Sequence, residues 1–358
     1  MRIAIIGSRG IPANYGGFET LADRIAGYLS DSGHEVIVIG EQPCFEAGRV
    51  RSVKTFFSKR GYPVLFYLES VLRSFFGFDR VLVLGVGAGP FIWLYRITRT
   101  SFVTHTDGME QLRGKFSSIK RWYVRIAQHG TFLFSKHIIA DADAVASWWV
   151  GKFGMQPSRI TVIRYGTDLC PVKSGQLYPE DLTLHGYYLV IARIVPENNI
   201  EMIIDGYSAA GSCKSLVIIG NWDDSEYGCR LKRRSSDRLL LLDPMYDRAV
   251  ITAYRSGCFA YLHGHSVGGT NPTLVEALGA GCVTVCHDNA FNRETTCGAG
   301  RFFKDAGALA ASLEELESLP VRSVEAEREI SRSIAARQYD WKEIGRQYEL
   351  VLTKTLAV

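Results

Sequence analysis

The sequence lacks the signals of metal-binding, disulfide-bonded and membrane-spanning proteins. Its eight cysteines form no Cys-x-x-Cys pair and no finger-like Cys/His spacing, so we expect them to be reduced and mostly buried. The longest uncharged apolar run, Val81 to Tyr95, has 15 residues, whereas a membrane span needs about 20. The first apolar segment, Ile3 to Ile6, is too short for the apolar part of a signal peptide. We therefore expect a cytoplasmic protein without a bound metal.

The glycine fingerprint of dinucleotide-binding enzymes is also missing. Gly7 and Gly10 follow the first apolar segment three residues apart, so Gly-x-Gly-x-x-Gly is absent. Glu41, after the second such segment, has the place of a ribose-binding acid, but an acid in a loop is usually only solvated. A nucleotide-dependent oxidoreductase is therefore the weaker alternative.

Charge is divided unevenly along a chain of globular composition. Residues 1–170 contain 21 Lys and Arg against 13 Asp and Glu, a net charge of +8, and residues 171–358 contain 20 against 24, a net charge of −4. The basic first half favours an anionic partner for that half. Scattered solvated charge explains the same counts equally well.

Short apolar segments alternate with amphipathic stretches in both halves. Strands are predicted in the first half at Arg2–Gly7, Glu35–Gly40, Arg80–Gly85, Thr100–Thr104, His137–Ala140 and Arg159–Arg164. They are predicted in the second half at Tyr187–Ala192, Ser215–Ile219, Leu239–Leu242, Cys258–His263 and Cys282–His287. Apolar runs of this length between helices are typical of parallel sheets covered on both faces. The pattern predicts an α/β protein with two doubly wound, Rossmann-like domains.

The segment from Thr167 to Gly186 has prolines, a glycine and little periodicity, so it is the predicted linker. We expect an N-terminal domain over 1–170, a C-terminal domain over 171–335 and a last helix over 336–358. That helix carries an apolar stripe, which consists of Trp341, Ile344, Tyr348 and Leu352.

A glycine-rich loop joins the first strand to the first predicted helix. It runs from Gly7 to Glu19 and ends in Gly16-Gly17-Phe18-Glu19. Glycines let a backbone approach a phosphate or sugar closely, and a helix N-terminus favours negative charge. Gly16, Gly17 and Glu19 are therefore candidate acceptor- or phosphate-binding residues.

Two loops of the second half carry the stronger candidate site. Arg193 follows a predicted strand, where open α/β sheets bind ligands, and its guanidinium suits diphosphate oxygens. In the loop from His263 to Pro272, the amides of Gly268, Gly269 and Thr270 precede a predicted helix. Glu276, one turn into it, is a candidate acceptor for ribose hydroxyls. The alternative interpretation is that Arg193 only pairs with a surface carboxylate and that Glu276 is only solvated.

Arg193 with Pro196-Glu197, followed by Ser266 to Gly281, resembles the donor site of family-4 retaining glycosyltransferases. The start, Ile6 to Pro12 with Tyr15 to Thr20, resembles a bacterial subgroup that includes rhamnosyltransferases of cell-surface polysaccharide assembly. The resemblance implies the GT-B fold, in which two domains face each other across a cleft and the C-terminal helix crosses back to the first domain. It implies a nucleotide diphosphate sugar as donor substrate, no cofactor and no metal. The implied donor-binding residues are Arg193, Asn198, His265, Gly268, Gly269, Thr270, Asn271 and Glu276.

Two departures from the wider family concern the donor site. The family has a sugar-contacting Glu eight residues before Glu276, where this chain has Gly268, and a Lys near the place of Asn198 and Asn199. We interpret both as altered donor recognition, with charge compensation left to Arg193, helix N-termini and His265. The other interpretation is lost catalysis, which would make the chain a non-catalytic nucleotide-sugar-binding partner.

The resemblance also implies a contact to the transferred sugar after a first-domain strand. Asp107 matches that place and His105 is the alternate, so both are candidate catalytic residues. An Asp before a glycine is ordinarily a turn former.

Basic and aromatic residues alternate from Arg113 to Lys136, among them Lys120, Arg121, Trp122 and Arg125. Such a helix binds an anionic membrane surface, or it buries its aromatics and leaves its charges in water. Lipid-linked acceptors are usual in the family, and this favours the interpretation that the helix binds a membrane surface. No nucleic-acid-binding module accompanies the patch. We therefore expect transfer of a hexose or deoxyhexose, rhamnose above others, to a lipid-linked saccharide at the inner face of the cell membrane.

Overall fold

The computed structural model describes residues 1–13, 16–106, 118–169, 182–267 and 269–354. The chain divides into two compact units. The first consists of Met1–Tyr165 with Trp341–Val358, and the second of Gly166–Asp340. These divisions lie a few residues from the boundaries expected after residues 170 and 335. Among the described residues, no helix has the length and apolar character needed to cross a bilayer.

The first unit contains an eight-stranded sheet in the order β3-β4-β2-β1-β5-β6-β7-β8. Its strands are β1 (Arg2–Ile6), β2 (Glu35–Gly40), β3 (Glu46–Ala47), β4 (Val50–Lys54), β5 (Arg80–Leu84), β6 (Ser101–Thr106), β7 (Ile138–Ala140) and β8 (Ile160–Val162). Its helices before the second unit are α1 (Gly17–Asp31), α2 (Pro63–Arg73), α3 (Tyr95–Thr98), α4 (Ser118–Phe134) and α5 (Asp143–Phe153). Neighbouring strands are parallel, except that β3 pairs antiparallel with β4.

The strands predicted in this unit are present, and β3 and β4 are additional. The predicted strands are continuous apolar runs, because helices cover both faces of a parallel sheet. In β4, by contrast, Val50 and Ser52 are buried while Arg51 and Lys54 are exposed. Because this strand lies near the edge of the sheet, it lacks the apolar run by which central strands are predicted.

The second unit contains a six-stranded parallel sheet in the order β11-β10-β9-β12-β13-β14. Its strands are β9 (Tyr187–Ile191), β10 (Ser215–Ile219), β11 (Leu239–Leu242), β12 (Ala260–His263), β13 (Val283–His287) and β14 (Arg301–Phe303). Its helices are α6 (Ile200–Ala210), α7 (Glu226–Lys232), α8 (Arg248–Gly257), α9 (Pro272–Gly279), α10 (Ala290–Thr295), α11 (Ala306–Ser318) and α12 (Val321–Gln338).

Two hydrophobic cores lie on opposite faces of this second sheet. Tyr188 and Val190 of β9 belong to one core, and Tyr187 and Leu189 belong to the other. Successive side chains of a strand point to opposite faces, so β9 supplies both cores alternately. The predicted α/β class with two Rossmann-like, parallel-sheet units is therefore confirmed.

The last helix, α13 (Trp341–Thr353), is part of the first unit. It contacts α1 and β6. The guanidinium Nε of Arg80 donates to the carbonyl oxygen of Leu352 at 2.9 Å, and the His34 ring lies 3.0 Å from the carboxylate of Glu349. The predicted apolar stripe is buried at Ile344, Tyr348 and Leu352.

Candidate functional site

Two loops at the carboxyl end of the second sheet are joined by hydrogen bonds. One follows β9 and the other follows the neighbouring strand β12. The side-chain amide of Asn199 donates to the carbonyl oxygen of Gly264 at 2.7 Å. Ser266 donates to the carbonyl oxygen of Glu197 from its backbone N at 3.0 Å and from its hydroxyl at 2.9 Å. A Cβ at position 264 would lie 2.1 Å from the carbonyl oxygen of Asn198, so only glycine permits this approach.

Arg193 lies at the start of the first of these loops with its side chain exposed. Its guanidinium makes no hydrogen bond or ion pair with another residue that the structure describes. Its backbone carbonyl oxygen accepts from the side-chain amide of Asn198 at 2.7 Å. Within the described part of the chain, Arg193 is thus a loop-anchored cation that can bind an anionic ligand.

The amide of Asn198 points inward rather than to solvent. The residue is 2% exposed and donates to the Arg193 carbonyl. Asn198 therefore shapes the turn that carries Arg193, and its direct contact with a donor stays a prediction. The neighbouring Asn199 has a left-handed backbone with φ of 50°, which asparagine tolerates better than most residues.

The second loop leads into the N-terminus of α9. Asn271 is the N-cap residue, and its side-chain oxygen accepts from the backbone N of Thr273 at 3.0 Å. Gly269 is half-buried and Thr270 buried, and both directly precede this cap. Pro272 has no N–H, and the backbone N–H groups of Leu274 and Val275 donate to the carbonyl oxygen of Asn271, so this turn attracts an anion through the helix dipole. Gly268 lies outside the described residues, so its predicted amide contact is not observed.

Glu276, in the second turn of α9, is paired with Arg255 of α8. The Nη2 of Arg255 donates to Oε2 of Glu276. The side chains are 8% and 33% exposed, respectively. Arg255 was not among the predicted site residues. The signal was available, because Arg255 follows Ile251 by four residues and Tyr254 by one, on the buried face of an amphipathic helix.

Histidines are the last residues of β12 and β13, and a third, His265, follows β12. His263 is 1% exposed, and burial lowers its pKa to about 3, so the ring is neutral at pH 7. The ring of His265 stacks on it, with centroids 4.4 Å apart and planes 8° apart. Burial likewise lowers the pKa of His287. In the described ranges, no group of three or more His, Cys, Asp or Glu side chains is arranged to hold a metal ion.

Two asparagines that sequence reasoning missed hold His265 in place. The side-chain amides of Asn289 and Asn292 donate to its carbonyl oxygen at 2.9 and 3.0 Å. Asn292 also donates to the carbonyl oxygen of His287 at 2.8 Å. Asn292 is 3% exposed, so its amide is available to the backbone carbonyls of the loop and not to solvent.

The glycine-rich loop of the first unit is organised by its own acids. Glu19, in the first turn of α1, is buried, and its Oε1 accepts from the backbone N of Arg9 at 2.9 Å. Gly16 precedes the helix with φ of 104°, a backbone that glycine adopts readily. Glu19 thus links the backbone of Arg9 to the first turn of α1, and the ligand-binding roles of Gly16, Gly17 and Glu19 stay predictions.

Glu41 is occupied by the same loop. Its Oε1 lies 2.7 Å from Nε of Arg9, and its Oε2 accepts from the backbone N of Lys59 at 2.6 Å. Together with the missing fingerprint, these contacts weigh against Glu41 as the ribose-binding acid of an oxidoreductase.

His105 is the candidate catalytic residue that the structure describes. It lies near the carboxyl end of β6 and is 4% exposed. Its ring packs edge-on against Phe18 at 5.5 Å and next to Tyr348 of α13 at 6.1 Å between centroids. Asp107, two residues later, lies outside the described residues. The catalytic roles of both stay predictions.

The comparisons with known proteins agree with this architecture. Residues 15–170, less than half of the chain, match the family model described as Glycosyltransferase Family 4. No curated protein matches the sequence.

Solved structures match the chain over almost its whole length. Sucrose-phosphate synthase from Thermosynechococcus elongatus has a TM-score of 0.78 at 14% identity, and 98% of each chain is covered. HepE from Anabaena, in complex with UDP-glucose, has a TM-score of 0.77 at 15% identity, and 99% of each chain is covered. A glycosyltransferase from Rickettsia africae has a TM-score of 0.74 at 14% identity, with 99% of this chain and 98% of that chain covered. At such low identity these neighbours show the GT-B fold alone.

The fold and the family match support one conclusion. The chain is a glycosyltransferase enzyme with the GT-B fold.

The described part of the basic helix of this glycosyltransferase is α4. Its inner face is buried at Val124, Ala127 and Thr131, and the hydroxyl of Tyr123 donates to the carbonyl oxygen of Gly87 at 2.7 Å. On its outer face, Trp122 is 63% and Ile119 is 81% exposed. The outer face also carries the exposed cations Lys120, Arg121 and Arg125. The aromatics of α4 are therefore divided between core and surface.

Proposed function

We propose that this enzyme transfers a hexose or deoxyhexose, rhamnose above others, from a nucleotide diphosphate sugar to a lipid-linked saccharide, with retention of anomeric configuration. The observation that carries the donor half of the proposal is the junction of two loops in the second unit. One of these loops carries the exposed Arg193. It is hydrogen-bonded to the other loop, which leads into α9 and Glu276. UDP and UDP-glucose are bound by HepE, a protein of similar fold, which supports a nucleotide sugar as donor.

The charges of this site suit a departing nucleoside diphosphate. Negative charge develops on the diphosphate as the bond to the sugar breaks, and fixed donors stabilise it. Arg193 supplies a cation without a described ion-pair partner, and the N-terminus of α9, which Gly269 and Thr270 precede, supplies the positive end of a helix dipole. Glu276 has an oxygen to accept ribose hydroxyls. These groups support binding of the donor without a metal.

A lipid-linked acceptor and a place at the membrane are supported by the surface of the first unit. Exposed apolar side chains occur on α2, on α3 with the short turn before it, and on α4; examples are Leu72, Trp93, Ile97, Trp122 and Leu133. On α4, the exposed cations Lys120, Arg121 and Arg125 accompany the apolar side chains. Interfacial segments combine apolar side chains that enter the headgroup region with cations that bind anionic lipids. We infer that the protein works at the inner face of the cell membrane.

The second candidate function is binding of a nucleotide sugar without transfer. It is favoured by Gly268, which stands where the wider family has a sugar-contacting glutamate. Such a protein would bind donors as well as the enzyme does but would release no nucleotide.

The decisive experiment is a donor panel on the purified protein with membrane extract or a synthetic polyprenyl-diphosphate saccharide as acceptor. UDP-, dTDP- and GDP-sugars are compared by thermal shift and by nucleotide release. We expect one donor, dTDP-rhamnose first, to raise the melting temperature and to be consumed only with acceptor. Nuclear magnetic resonance of the product reports the anomeric configuration. Stabilisation without turnover on any acceptor would favour the binding protein, and neither effect with any donor would refute the proposal.

A further inference from the structure

A buried arginine lies behind the glutamate of the proposed donor site. Arg255 belongs to the last turn of α8, and its side chain is 8% exposed. A buried guanidinium is costly unless a carboxylate compensates its charge. Glu276 is the described carboxylate that does so, through the bond from Nη2 to Oε2. The orientation of Glu276 is thus coupled to a charge that has little access to bulk water.

The two oxygens of Glu276 are in different situations. Oε2 is bonded to Arg255, whereas Oε1 makes no hydrogen bond to another described residue. The side chain is one-third exposed, so a ligand can reach it. A carboxylate offers about four acceptor positions, and the ion pair uses one. A rotation that moved the whole carboxylate away from Arg255 would leave the guanidinium buried and unpaired, whereas a half-turn only exchanges the two equivalent oxygens.

The backbone of Arg255 is itself fixed by two thiols. The thiols of Cys258 and Cys282 both donate to its carbonyl oxygen, at 3.1 and 3.2 Å. Both cysteines are fully buried. The Nε of Arg255 is also buried and has no hydrogen-bond partner among the described residues. Its strongest polar attachment is therefore Glu276, which gives the pair one favoured geometry.

We propose that Arg255 is a positioning residue of the donor site. It holds Glu276 by Oε2 so that Oε1 accepts a hydroxyl of the nucleotide ribose, and it does not touch the donor itself. This inference rests on the proposed function. It predicts that recognition of the ribose hydroxyls depends on a residue one layer behind the ligand.

The test compares nucleotides with and without ribose hydroxyls. UDP, GDP and ADP, which carry 2′- and 3′-hydroxyls, and dTDP, which carries only the 3′-hydroxyl, are each paired with their 2′,3′-dideoxy analogues, and dissociation constants are measured by calorimetry. The proteins are wild type, Arg255→Met, Arg255→Lys and, as a control on the same helix, Arg248→Met, whose side chain is exposed. Arg255→Met leaves Glu276 unpaired but partly hydrated, so we expect it to fold.

We expect the wild type to prefer at least one hydroxyl-bearing diphosphate by about tenfold or more, since hydrogen bonds to charged groups are among the stronger ones. In Arg255→Met the preference should fall to about twofold while affinity for the dideoxy analogue stays unchanged. Arg255→Lys should restore part of the preference, and Arg248→Met should keep all of it. A role confined to stability would lower the melting temperature and leave the preference intact.

Failure of this inference differs from failure of the proposed function. A full ribose preference in Arg255→Met, or a wild type that binds diphosphates without any preference for hydroxyls, overturns the positioning role and leaves the donor site standing. A wild type that binds none of the four diphosphates overturns the proposed function, and the positioning role with it.

Discussion

The side-chain amide of Asn199 donates to the carbonyl oxygen of Gly264 across 2.7 Å, and this bond joins the loops that follow two adjacent strands of the second sheet. One loop carries Arg193, and the other leads to α9. Their separation in the sequence is large, so the bond exists only in the folded sheet. It sets the spacing between a cation and a helix N-terminus, the two anion-binding groups of the proposed site.

Removing this bond should weaken donor binding without unfolding the unit. Asn199→Gly retains the left-handed backbone and deletes only the amide, at an expected loss of about 1 kcal/mol from the hydrogen bond. We expect nucleoside diphosphate affinity to fall several-fold with a small change in melting temperature. Asn221→Gly, at an exposed position of the same unit, is the control. Equal affinities in all three proteins would show that the loop spacing does not depend on Asn199.

Glu276→Ala should affect both stability and binding, because it leaves Arg255 buried and unpaired. Breaking a buried pair costs roughly 3–5 kcal/mol, and the partial exposure of Glu276 places this one at the lower end. The double variant Arg255→Met with Glu276→Met should recover most of the melting temperature but not the nucleoside diphosphate affinity. If the double variant regained both, Glu276 would have no contact with the donor.

The difference between what sequence predicted and what it missed follows from the range of the interactions. Central strands such as β1 and β9 are predictable, because burial on both faces demands a local apolar run. The loop from His263 to Pro272 is predictable for another local reason, since glycines between two apolar segments mark where one element ends and the next begins.

The partners of the site residues were not predictable, because they arise from tertiary contacts. Arg255 and Glu276 lie on different helices, and nothing local in either segment selects the other. The sequence around Asn289 and Asn292 indicates only an ordinary polar turn, although their side-chain amides donate to the carbonyl oxygen of His265. Glu19 and Arg9 lie close in sequence, yet only the folded loop shows that the carboxylate is used internally.

A chelator should leave activity intact. In metal-independent transfer, Arg193 and the positive end of the α9 dipole compensate the charge of the diphosphate. Turnover of the identified donor is measured after treatment with EDTA and again after addition of Mg²⁺ or Mn²⁺. Abolished activity that either ion restores would contradict the expectation and would call for ligands beyond those proposed here.

Reversing the charge of α4 should release the protein from anionic vesicles. Lys120, Arg121 and Arg125 are exposed, and each cation near such a surface contributes on the order of 1 kcal/mol. The triple change to Glu should therefore abolish sedimentation with vesicles that contain acidic phospholipid, with nucleotide binding unchanged. The matched control changes three exposed arginines of the second unit to Glu: Arg233, Arg248 and Arg322. Equal sedimentation of both variants and wild type would show that the cations of α4 are only solvated.

The last prediction concerns Asp107, which resemblance places beside the transferred sugar. A carboxylate there either holds a sugar hydroxyl or assists proton transfer and cation stabilisation, and only the second role requires its charge. Asp107→Asn keeps the shape and removes the charge. If position alone matters, Asn should keep part of the activity and Ala should lose most of it.

We expect the charge to matter, because Gly268 replaces the glutamate that the wider family has in its donor site, which leaves fewer carboxylates for the reaction. Both Asp107→Asn and Asp107→Ala should then lower turnover by roughly 10²–10⁴ with little change in donor affinity. Single-turnover rates and nucleotide-sugar dissociation constants, measured on both variants, separate chemistry from binding. Near-normal turnover in Asp107→Ala would remove this residue from the mechanism. It would direct attention to His105, whose ring lies against Phe18 and Tyr348 at the carboxyl end of β6.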